Sequence, residues 1–213
     1  TGEYFLAKKD VVVMNGLDVK PMKADREPGS FRILSLGMIS EEKGALELVR
    51  TAKLLKDKGL DCVWEIAGGW ESDLFEDEMM RLIDELGVKD EIHFLGVLKG
   101  DAKWRAYSNS DAFVFLSHHP TETFGLVLIE AMGMQLPIVT TKWRGIPHVV
   151  GKSEAAILCD AKAPEQFAEA LSVLILDQEQ CAQMSENAVA YYKANFTRDR
   201  FISNMEAAFK LSI

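Results

Sequence analysis

The stretch from Thr121 to Thr141, TETFGLVLIEAMGMQLPIVTT, constrains the fold more than any other part of the chain. Between Phe124 and Val139 it contains a single charged residue, Glu130, and the residues around Glu130 leave no polar face on a helix. A helix of that kind is buried all round. Because a carboxylate is costly to bury without a partner, Glu130 is expected to meet a group that binds it.

The same helix is predicted to begin at Phe124 and Gly125, directly after Glu122. The free N–H groups of a helix N-terminus form an anion site. The stretch therefore offers an anion cradle, a carboxylate at its edge, and a second carboxylate, Glu130, about two turns further along. Two glutamates eight positions apart carry little information in a chain with 33 acidic residues, so the rest of the sequence must support this interpretation.

Apolar, strand-like segments alternate with helical segments along the chain. The expected strands are residues 10–14, 31–37, 62–68, 91–96, 110–117, 137–141 and 155–159. Besides the helix after Gly125, the expected helices are residues 44–58, 73–86, 101–109, 164–176, 179–194 and 198–211. This alternation predicts an α/β fold, a doubly wound parallel sheet with helices on both faces. Ligands bind such sheets outside the carboxyl ends of the strands, where Lys43, Gly69, Glu122 and the loop after Phe94 are expected.

Composition and charge narrow the classes of function. The chain has 213 residues, of which 48% are hydrophobic and 27% charged, as expected for one large globular domain. The net charge of -9 argues against a surface for nucleic acid or anionic lipid, so a phosphate ligand must be held by local groups. No apolar run approaches the ~20 residues that span a bilayer, and no leader is evident, so a cytoplasmic protein without a membrane span is expected.

The cysteines and the paired histidines give no sign of a metal site. Cys62, Cys159 and Cys181 are odd in number, lack metal-ligand spacing and fall in strand-like or helix-like stretches, so they are expected to be reduced thiols of the core. His118 and His119 are adjacent but have no third ligand near them in the sequence. Neither a metal nor a cofactor is expected.

The segment from Glu122 to Glu130, ETFGLVLIE, resembles the E-x7-E signature of the retaining, nucleotide-sugar-dependent glycosyltransferases of family 4, the group 1 enzymes of GT-B fold. The resemblance runs from about Val11 to Phe209. GT-B enzymes have two Rossmann-like halves, and this chain looks like the C-terminal, donor-binding half alone. It implies one donor domain over residues 1–213, with a linker and first strand at 10–30, a terminal helix at 198–213, and no N-terminal acceptor domain.

The resemblance implies how a donor would be held. Glu130 would bind the ribose hydroxyls, which would supply its missing partner, and the stability of the empty fold would then depend little on it. The main-chain N–H groups of Thr123, Phe124 and Gly125 would hold the diphosphate together with Lys43. A structural ion pair is the alternative role for Glu130.

The remaining implied roles concern the base, the sugar and the reaction. The G-x-G-like turn at Gly69 and the main chain around Phe94 and Leu95 would border the base. Glu122 would bind hydroxyls of the donor sugar. The implied reaction is sugar transfer with retention at the anomeric carbon, with Glu122 and Lys43 as the catalytic residues.

Two segments depart from the family pattern. The family has G-R-L-x-x-x-K-G after its first donor-domain strand, and Lys43 matches the lysine, but Met38 stands where the arginine should be. The segment KWRGIPH resembles the family's G-G-x-P-E, with Arg144 for the first glycine and His148 for the glutamate. Arg144 is expected to reach into the crevice in place of the missing arginine. A solvated Arg144 beside Trp143 is the alternative.

The resemblance thus implies a glycosyltransferase domain that binds a UDP- or GDP-linked sugar and that would be inactive without its acceptor half. The acceptor could be a glycan, a lipid-linked sugar or a small molecule, and peripheral membrane association of a full-length enzyme stays open. A GT-B sugar-nucleotide epimerase and a non-catalytic nucleotide-binding module are the alternatives. Without the other half, the terminal helix should leave apolar surface uncovered at Phe201, Met205 and Phe209.

Overall fold

The structure of the protein, a computed structural model, describes residues 13–27 and 29–211. The strands are β1 (Phe31–Leu36), β2 (Cys62–Ala67), β3 (Ile92–Gly96), β4 (Ala112–Phe115), β5 (Ile138–Thr141) and β6 (Ala156–Cys159). The helices are α1 (Ala45–Asp57), α2 (Asp73–Leu86), α3 (Gly100–Ser108), α4 (Leu126–Gly133), α5 (Ile146–Val150), α6 (Pro164–Leu176), α7 (Gln178–Asn195) and α8 (Arg198–Leu211). A 3-10 turn, Lys89–Glu91, precedes β3.

The strands form one parallel sheet in the order β3-β2-β1-β4-β5-β6. The chain winds outward from β1 to β3, returns to β4 beside β1, and continues outward to β6, which places a topological switch point between β1 and β4. The predicted doubly wound, Rossmann-like α/β fold is confirmed. Of the strand expected at residues 10–14, Val13 and Met14 are not in a strand, and residues 10–12 lie outside the described residues.

Two apolar cores cover the two faces of the sheet. One contains residues of α1, α2 and α6, and the other contains residues of α3, α4, α5 and α7. All four residues of β4 are buried; Val114 belongs to the first core, whereas Phe113 and Phe115 belong to the second. Alternation of side chains between two covered faces explains why this strand is apolar throughout.

Helix α4 differs from the expectation of burial on every side. The residues from Leu128 to Met132 are buried apart from Glu130, but Leu126 in the first turn is 50% exposed. This first turn stands at the edge of the sheet where the strands end, so its apolar residues are only partly covered. The prediction was therefore wrong for the first turn of α4 and correct for the buried residues that follow.

The three cysteines are free thiols; Cys62 and Cys159 are buried and Cys181 is half-buried. Burial raises the pKa of the Cys62 thiol to about 12 and that of Cys159 to about 11. Both thiols are therefore protonated at neutral pH. They behave as small core residues rather than as nucleophiles.

The last helix, α8, packs on α7. Phe209 is 63% exposed, and Phe201 and Met205 are half-buried outside the two cores. Of the three residues that the sequence analysis expected to be uncovered, Phe209 is thus exposed, whereas Phe201 and Met205 are partly covered. Among the described helices, none combines the length and the apolar character needed to cross a bilayer.

Gly68→Ala tests a close backbone approach at the end of β2. A Cβ at Gly68 would stand 1.7 Å from the carbonyl oxygen of Gly37, so the chain after β1 would have to move away. We expect the free energy of unfolding to fall by about 1 to 3 kcal/mol in urea denaturation. Gly69→Ala is the control, because its Cβ would meet nothing nearer than Val97 at 3.5 Å. Equal stability of the two variants would contradict the close approach.

Candidate functional site

The loops that follow β1 and β4 meet at the switch point of the sheet. Gly44, which precedes α1, has a positive φ of 79°. A Cβ there would stand 2.4 Å from the carbonyl oxygen of Leu116, so only glycine lets the β1 loop approach the β4 loop this closely. The backbone N–H of His118 also donates to the carbonyl of Glu42 at 2.8 Å, and this bond joins the same two loops.

Lys43 and Glu122, the two predicted catalytic residues, form an ion pair across this junction. The Lys43 ammonium lies 2.6 Å from Oε2 of Glu122, and the Ser117 hydroxyl donates to the same oxygen at 3.1 Å. Glu122 is only 9% exposed and Lys43 is partly buried, so their attraction is weakly screened by solvent. The structure therefore brings the two side chains together from opposite sides of the switch point.

Three consecutive backbone N–H groups follow Glu122 in the chain, next to this ion pair. Gly125 precedes α4 with a φ of 68°, and no side chain caps the helix. Within the described part of the chain, no hydrogen bond occupies the backbone N–H groups of Thr123, Phe124 or Gly125. The first turn of α4 has no acidic residue, so the positive end of the helix dipole is uncompensated there.

The loop after β5 holds these N–H groups in place from the other side. A Cβ at Gly145 would stand 1.9 Å from the carbonyl oxygen of Thr123, so the two backbones are in direct contact. The indole N–H of Trp143 donates to the carbonyl of His119 at 2.9 Å. The segment that carries Glu122 is therefore fixed between the loops after β1 and β5.

Arg144 lies beside this contact, on the surface. Its φ is +45°, a left-handed conformation that favours glycine, the residue of the resembled family at this position. The exposed guanidinium carbon stands 5.9 Å from the centre of the Trp143 ring. Contact of Arg144 with a donor stays a prediction.

Glu130 has two partners on α3, which the sequence analysis missed. Its Oε1 lies 2.6 Å from the Lys103 ammonium, and its Oε2 accepts a hydrogen bond from the Tyr107 hydroxyl at 3.0 Å. Burial, followed by the negative charge of Glu130, raises the pKa of Tyr107 well above its usual value, so the hydroxyl remains a donor. The expected partner of this carboxylate is therefore supplied by the protein itself, although its outer lone pairs remain available.

An apolar cleft of about 360 Å³ lies next to the switch point. Its lining includes Met38, Trp70, Val97 and Leu98, together with the predicted Gly69. The chain after β3 thus contributes Val97 and Leu98 to the cleft, rather than the predicted Phe94 and Leu95. The sequence feature that could have indicated these two lining residues is an apolar Val-Leu pair directly after the predicted strand.

The predicted residues Phe94 and Leu95 stand outside this lining. Phe94 packs against Trp70, with ring centres 4.9 Å apart, and faces the first core. Leu95 is exposed on the edge strand. Their main-chain role remains a prediction.

The paired histidines take part in loop packing. The ring of His118 is buried edge-on against Trp143, with centres 6.5 Å apart. Nε2 of His119 lies 3.0 Å from a carboxylate oxygen of Glu42. Among the described residues, no three His, Cys, Asp or Glu side chains are grouped so as to hold a metal ion.

Comparison with known proteins identifies the family of this chain. Residues 20–190 match the model of the family described as glycosyl transferases group 1. The chain belongs to this family. A group 1 chain with a Rossmann-like sheet and a helix N-terminus at the switch point is consistent with the fold of GT-B glycosyltransferases.

The curated relatives are longer than this group 1 chain. It is 31% identical over 188 residues to a D-inositol 3-phosphate glycosyltransferase of Actinosynnema mirum, covering 85% of this chain and 44% of the relative. It is 30% identical over 131 residues to the N-acetyl-alpha-D-glucosaminyl L-malate synthase of Bacillus anthracis, covering 62% and 33%. The chain thus spans less than half the length of these relatives.

Solved structures of group 1 and related proteins have the same fold. The crystal structure of Anabaena HepE in complex with UDP superposes with a TM-score of 0.77 at 22% identity, over 86% of this chain and 49% of that one. The C-terminal domain of a glycosyl transferase group 1 family protein from Francisella tularensis gives 0.71 at 24% identity, over 80% and 88%. The second match covers nearly all of an isolated domain.

Glu130→Gln tests whether the contacts with α3 stabilise the fold. The change leaves the Lys103 ammonium, 23% exposed, facing a neutral amide. We expect the free energy of unfolding without nucleotide to fall by about 1 to 3 kcal/mol in urea denaturation. This reverses the sequence-based expectation that the empty fold depends little on Glu130.

The control is Glu169→Gln, because Glu169 pairs at 2.9 Å with Lys58 but is largely exposed. An exposed pair of this kind contributes less than about 1 kcal/mol. If both variants unfold at the same denaturant concentration as the parent, the contact of Glu130 with α3 is not structural.

Proposed function

We propose that this chain is the donor-binding domain of a retaining glycosyltransferase and binds a nucleotide-diphosphate sugar between the ends of β1 and β4. The observation that carries the proposal is the ion pair of Lys43 with Glu122, the residue directly before the unpaired N–H groups at the start of α4. A cation beside free amides and the positive end of a helix dipole is suited to phosphate. In a chain of net charge -9, this is a local site for an anion.

The diphosphate would lie against the N–H groups of Thr123, Phe124 and Gly125. To reach it, the Lys43 ammonium exchanges an oxygen of Glu122 for a phosphate oxygen. Glu122 then has a free oxygen at the edge of the cradle, where it accepts hydrogen bonds from hydroxyls of the donor sugar. Binding of the phosphate thus prepares the carboxylate for the sugar.

The nucleoside would lie in the neighbouring cleft. Its base fits between the apolar side chains of Met38, Trp70 and Val97. The ribose hydroxyls donate to the outer lone pairs of Glu130, since an ionised carboxylate has about four acceptor sites and α3 uses two of them.

The proposed reaction transfers the sugar from the diphosphate to an acceptor hydroxyl with retention at the anomeric carbon. Negative charge develops on the departing phosphate as the glycosidic bond breaks. Lys43 and the N–H groups before α4 are in place to stabilise that charge. The acceptor would be bound by an N-terminal half, which we infer from the likeness to an isolated C-terminal domain and from a relative of which the match covers only 44%. The 213-residue chain should therefore bind donor without transferring sugar.

Met38 favours a second candidate, a nucleotide-binding module without catalytic activity. It stands where the resembled family has an arginine, so the diphosphate would lose one charge-assisted contact of about 1.5 to 3 kcal/mol. Glycosyl transfer by a full-length form of this protein would exclude this candidate.

Titration with UDP, GDP and ADP, with and without their sugars, tests the donor site. We expect one of these nucleotides to bind, and we expect Lys43→Ala to raise its Kd about 10- to 100-fold, because the cation nearest the cradle is lost. Isothermal titration calorimetry measures both. If no nucleotide binds the parent protein, or if Lys43→Ala binds as well as the parent, the proposed donor site is wrong.

Arg144→Ala in the same titration tests whether this arginine compensates for Met38. A raised Kd for the nucleotide, with unchanged melting temperature, means that the guanidinium leaves Trp143 and contacts the donor. An unchanged Kd means that Arg144 only stacks on Trp143 and that Lys43 acts alone.

Met38→Arg should restore the missing contact. Met38 is 47% exposed beside the cleft, so a longer, charged side chain can be accommodated. We expect the Kd of the nucleoside diphosphate to fall about tenfold. Leu74→Arg is the control, because it adds the same charge at a residue on α2 that is 80% exposed. An equal gain from both variants would indicate general attraction of the anion rather than a local contact.

A further inference from the structure

We propose that Lys103 is a positioning residue of the donor site, which holds the Glu130 carboxylate in the orientation that accepts the ribose hydroxyls. The inference rests on the proposed function, because it takes the ribose of a nucleotide as the ligand of Glu130. Lys103 lies on α3, in a segment to which the sequence assigned no role in binding.

The geometry of the carboxylate is fixed from one side. Oε1 of Glu130 is bound by the Lys103 ammonium at 2.6 Å and Oε2 by the Tyr107 hydroxyl at 3.0 Å, and these partners stand one turn apart on α3. Two donors on two oxygens determine both the position and the plane of the group. The Glu130 side chain is 13% exposed, so its remaining lone pairs can reach a ligand.

Lys103 is itself held in place. Its ammonium lies 4.3 Å from the centre of the Trp104 ring, a cation-π contact that restricts the long side chain. Trp104 in turn packs against the second core. The ammonium is therefore held in place by the helix that carries it, and it restrains the Glu130 carboxylate in turn.

The fixed orientation of the Glu130 side chain favours ligand binding because it reduces the entropy that is lost on binding. An unrestrained glutamate side chain loses rotamer freedom when a ligand fixes it, and that loss reduces affinity. In this structure the side chain is already fixed before the ribose arrives. Removal of Lys103 should therefore weaken the contact with ribose hydroxyls while leaving the diphosphate contacts unchanged.

Two other roles for Lys103 make different predictions. If the ion pair only fastens α3 to α4, its loss lowers stability without changing preference among nucleotides. If the ammonium leaves Glu130 to bind phosphate directly, its loss weakens every diphosphate equally, whether or not the sugar carries hydroxyls.

The test compares UDP with 2′,3′-dideoxy-UDP, or the corresponding pair for GDP or ADP if the parent protein prefers another base. We expect Lys103→Met, which keeps an unbranched side chain of similar length but removes the ammonium, to raise the Kd of the ribonucleotide about tenfold. The Kd of the dideoxy compound should change less than about twofold, because it offers Glu130 no hydroxyl. Lys103→Arg should retain the preference for the ribonucleotide.

Lys58→Met is the matched control, since Lys58 forms an ion pair with Glu169 and lies on α1's C-terminal side rather than at the site. It should alter neither Kd. In the Glu130→Gln background, Lys103→Met should produce no further loss for the ribonucleotide, because the group that it positions has already been changed. Should Lys103→Met fail to fold, Lys103→Gln, which keeps a hydrogen-bond donor, is measured with the same pair of ligands.

Equal losses for the two ligands, or no loss for either, would overturn the positioning role while the donor site stands. If the parent protein binds no nucleotide, the proposed function fails and this inference fails with it. If the parent binds UDP and its dideoxy counterpart equally, Glu130 is not the ribose ligand and the inference is overturned, whereas the phosphate contact of Lys43 is judged separately by the Lys43→Ala titration.

Discussion

The ion pair between Lys43 and Glu122 is the interaction on which the candidate site depends. A lysine and the N-terminus of α4 are both positive, so placing them side by side is unfavourable without a negative group between them. Glu122 supplies that group at 2.6 Å from the ammonium. In the proposed donor complex, a phosphate oxygen would take the place of the Glu122 oxygen beside the ammonium, so one negative group would exchange for another.

The backbone around this ion pair is fixed by two glycines that act from opposite sides. Gly44 lets the β1 loop contact Leu116, and Gly145 lets the β5 loop contact Thr123, in each case at a distance that excludes a side chain. The segment from Leu116 to Thr123 carries Glu122, and the free N–H groups of Thr123, Phe124 and Gly125 stand at its C-terminal end. Because this segment is held at both ends, we expect the N–H groups to be oriented before a ligand binds, which would lower the cost of binding.

Most of the fold could be predicted because the strands appear in the sequence as short apolar runs and most of the helices as longer segments with apolar residues on one side. The bounds of α2 and α6 match those expected, since both are amphipathic or apolar segments with clear ends: Ser72 caps α2 with its hydroxyl, and Gly87 ends it with a positive φ. Helix α5 was not predicted, because its five residues are too few to show a helical period.

The candidate site was predictable where it depends on position along the chain, and not where it depends on packing. Lys43 and Glu122 could be placed near each other because both follow neighbouring strand ends. Lys103 could not, because its contact with Glu130 requires that α3 lie beside α4, and the two residues are 27 positions apart. The sequence indicated that a carboxylate in an apolar helix requires a partner, but it did not indicate which group is that partner.

The two departures from the family pattern are physically different. Met38 removes a charge at a residue whose φ is not positive, so we expect its consequence to fall on ligand binding rather than on the backbone. Arg144 adds a side chain where φ is +45°, a conformation that costs a non-glycine residue on the order of 1 kcal/mol. The cation-π contact between its guanidinium and the Trp143 ring can offset part of that cost. The same Trp143 also donates to the carbonyl of His119, so the ring lies between Arg144 and the loop that carries Glu122.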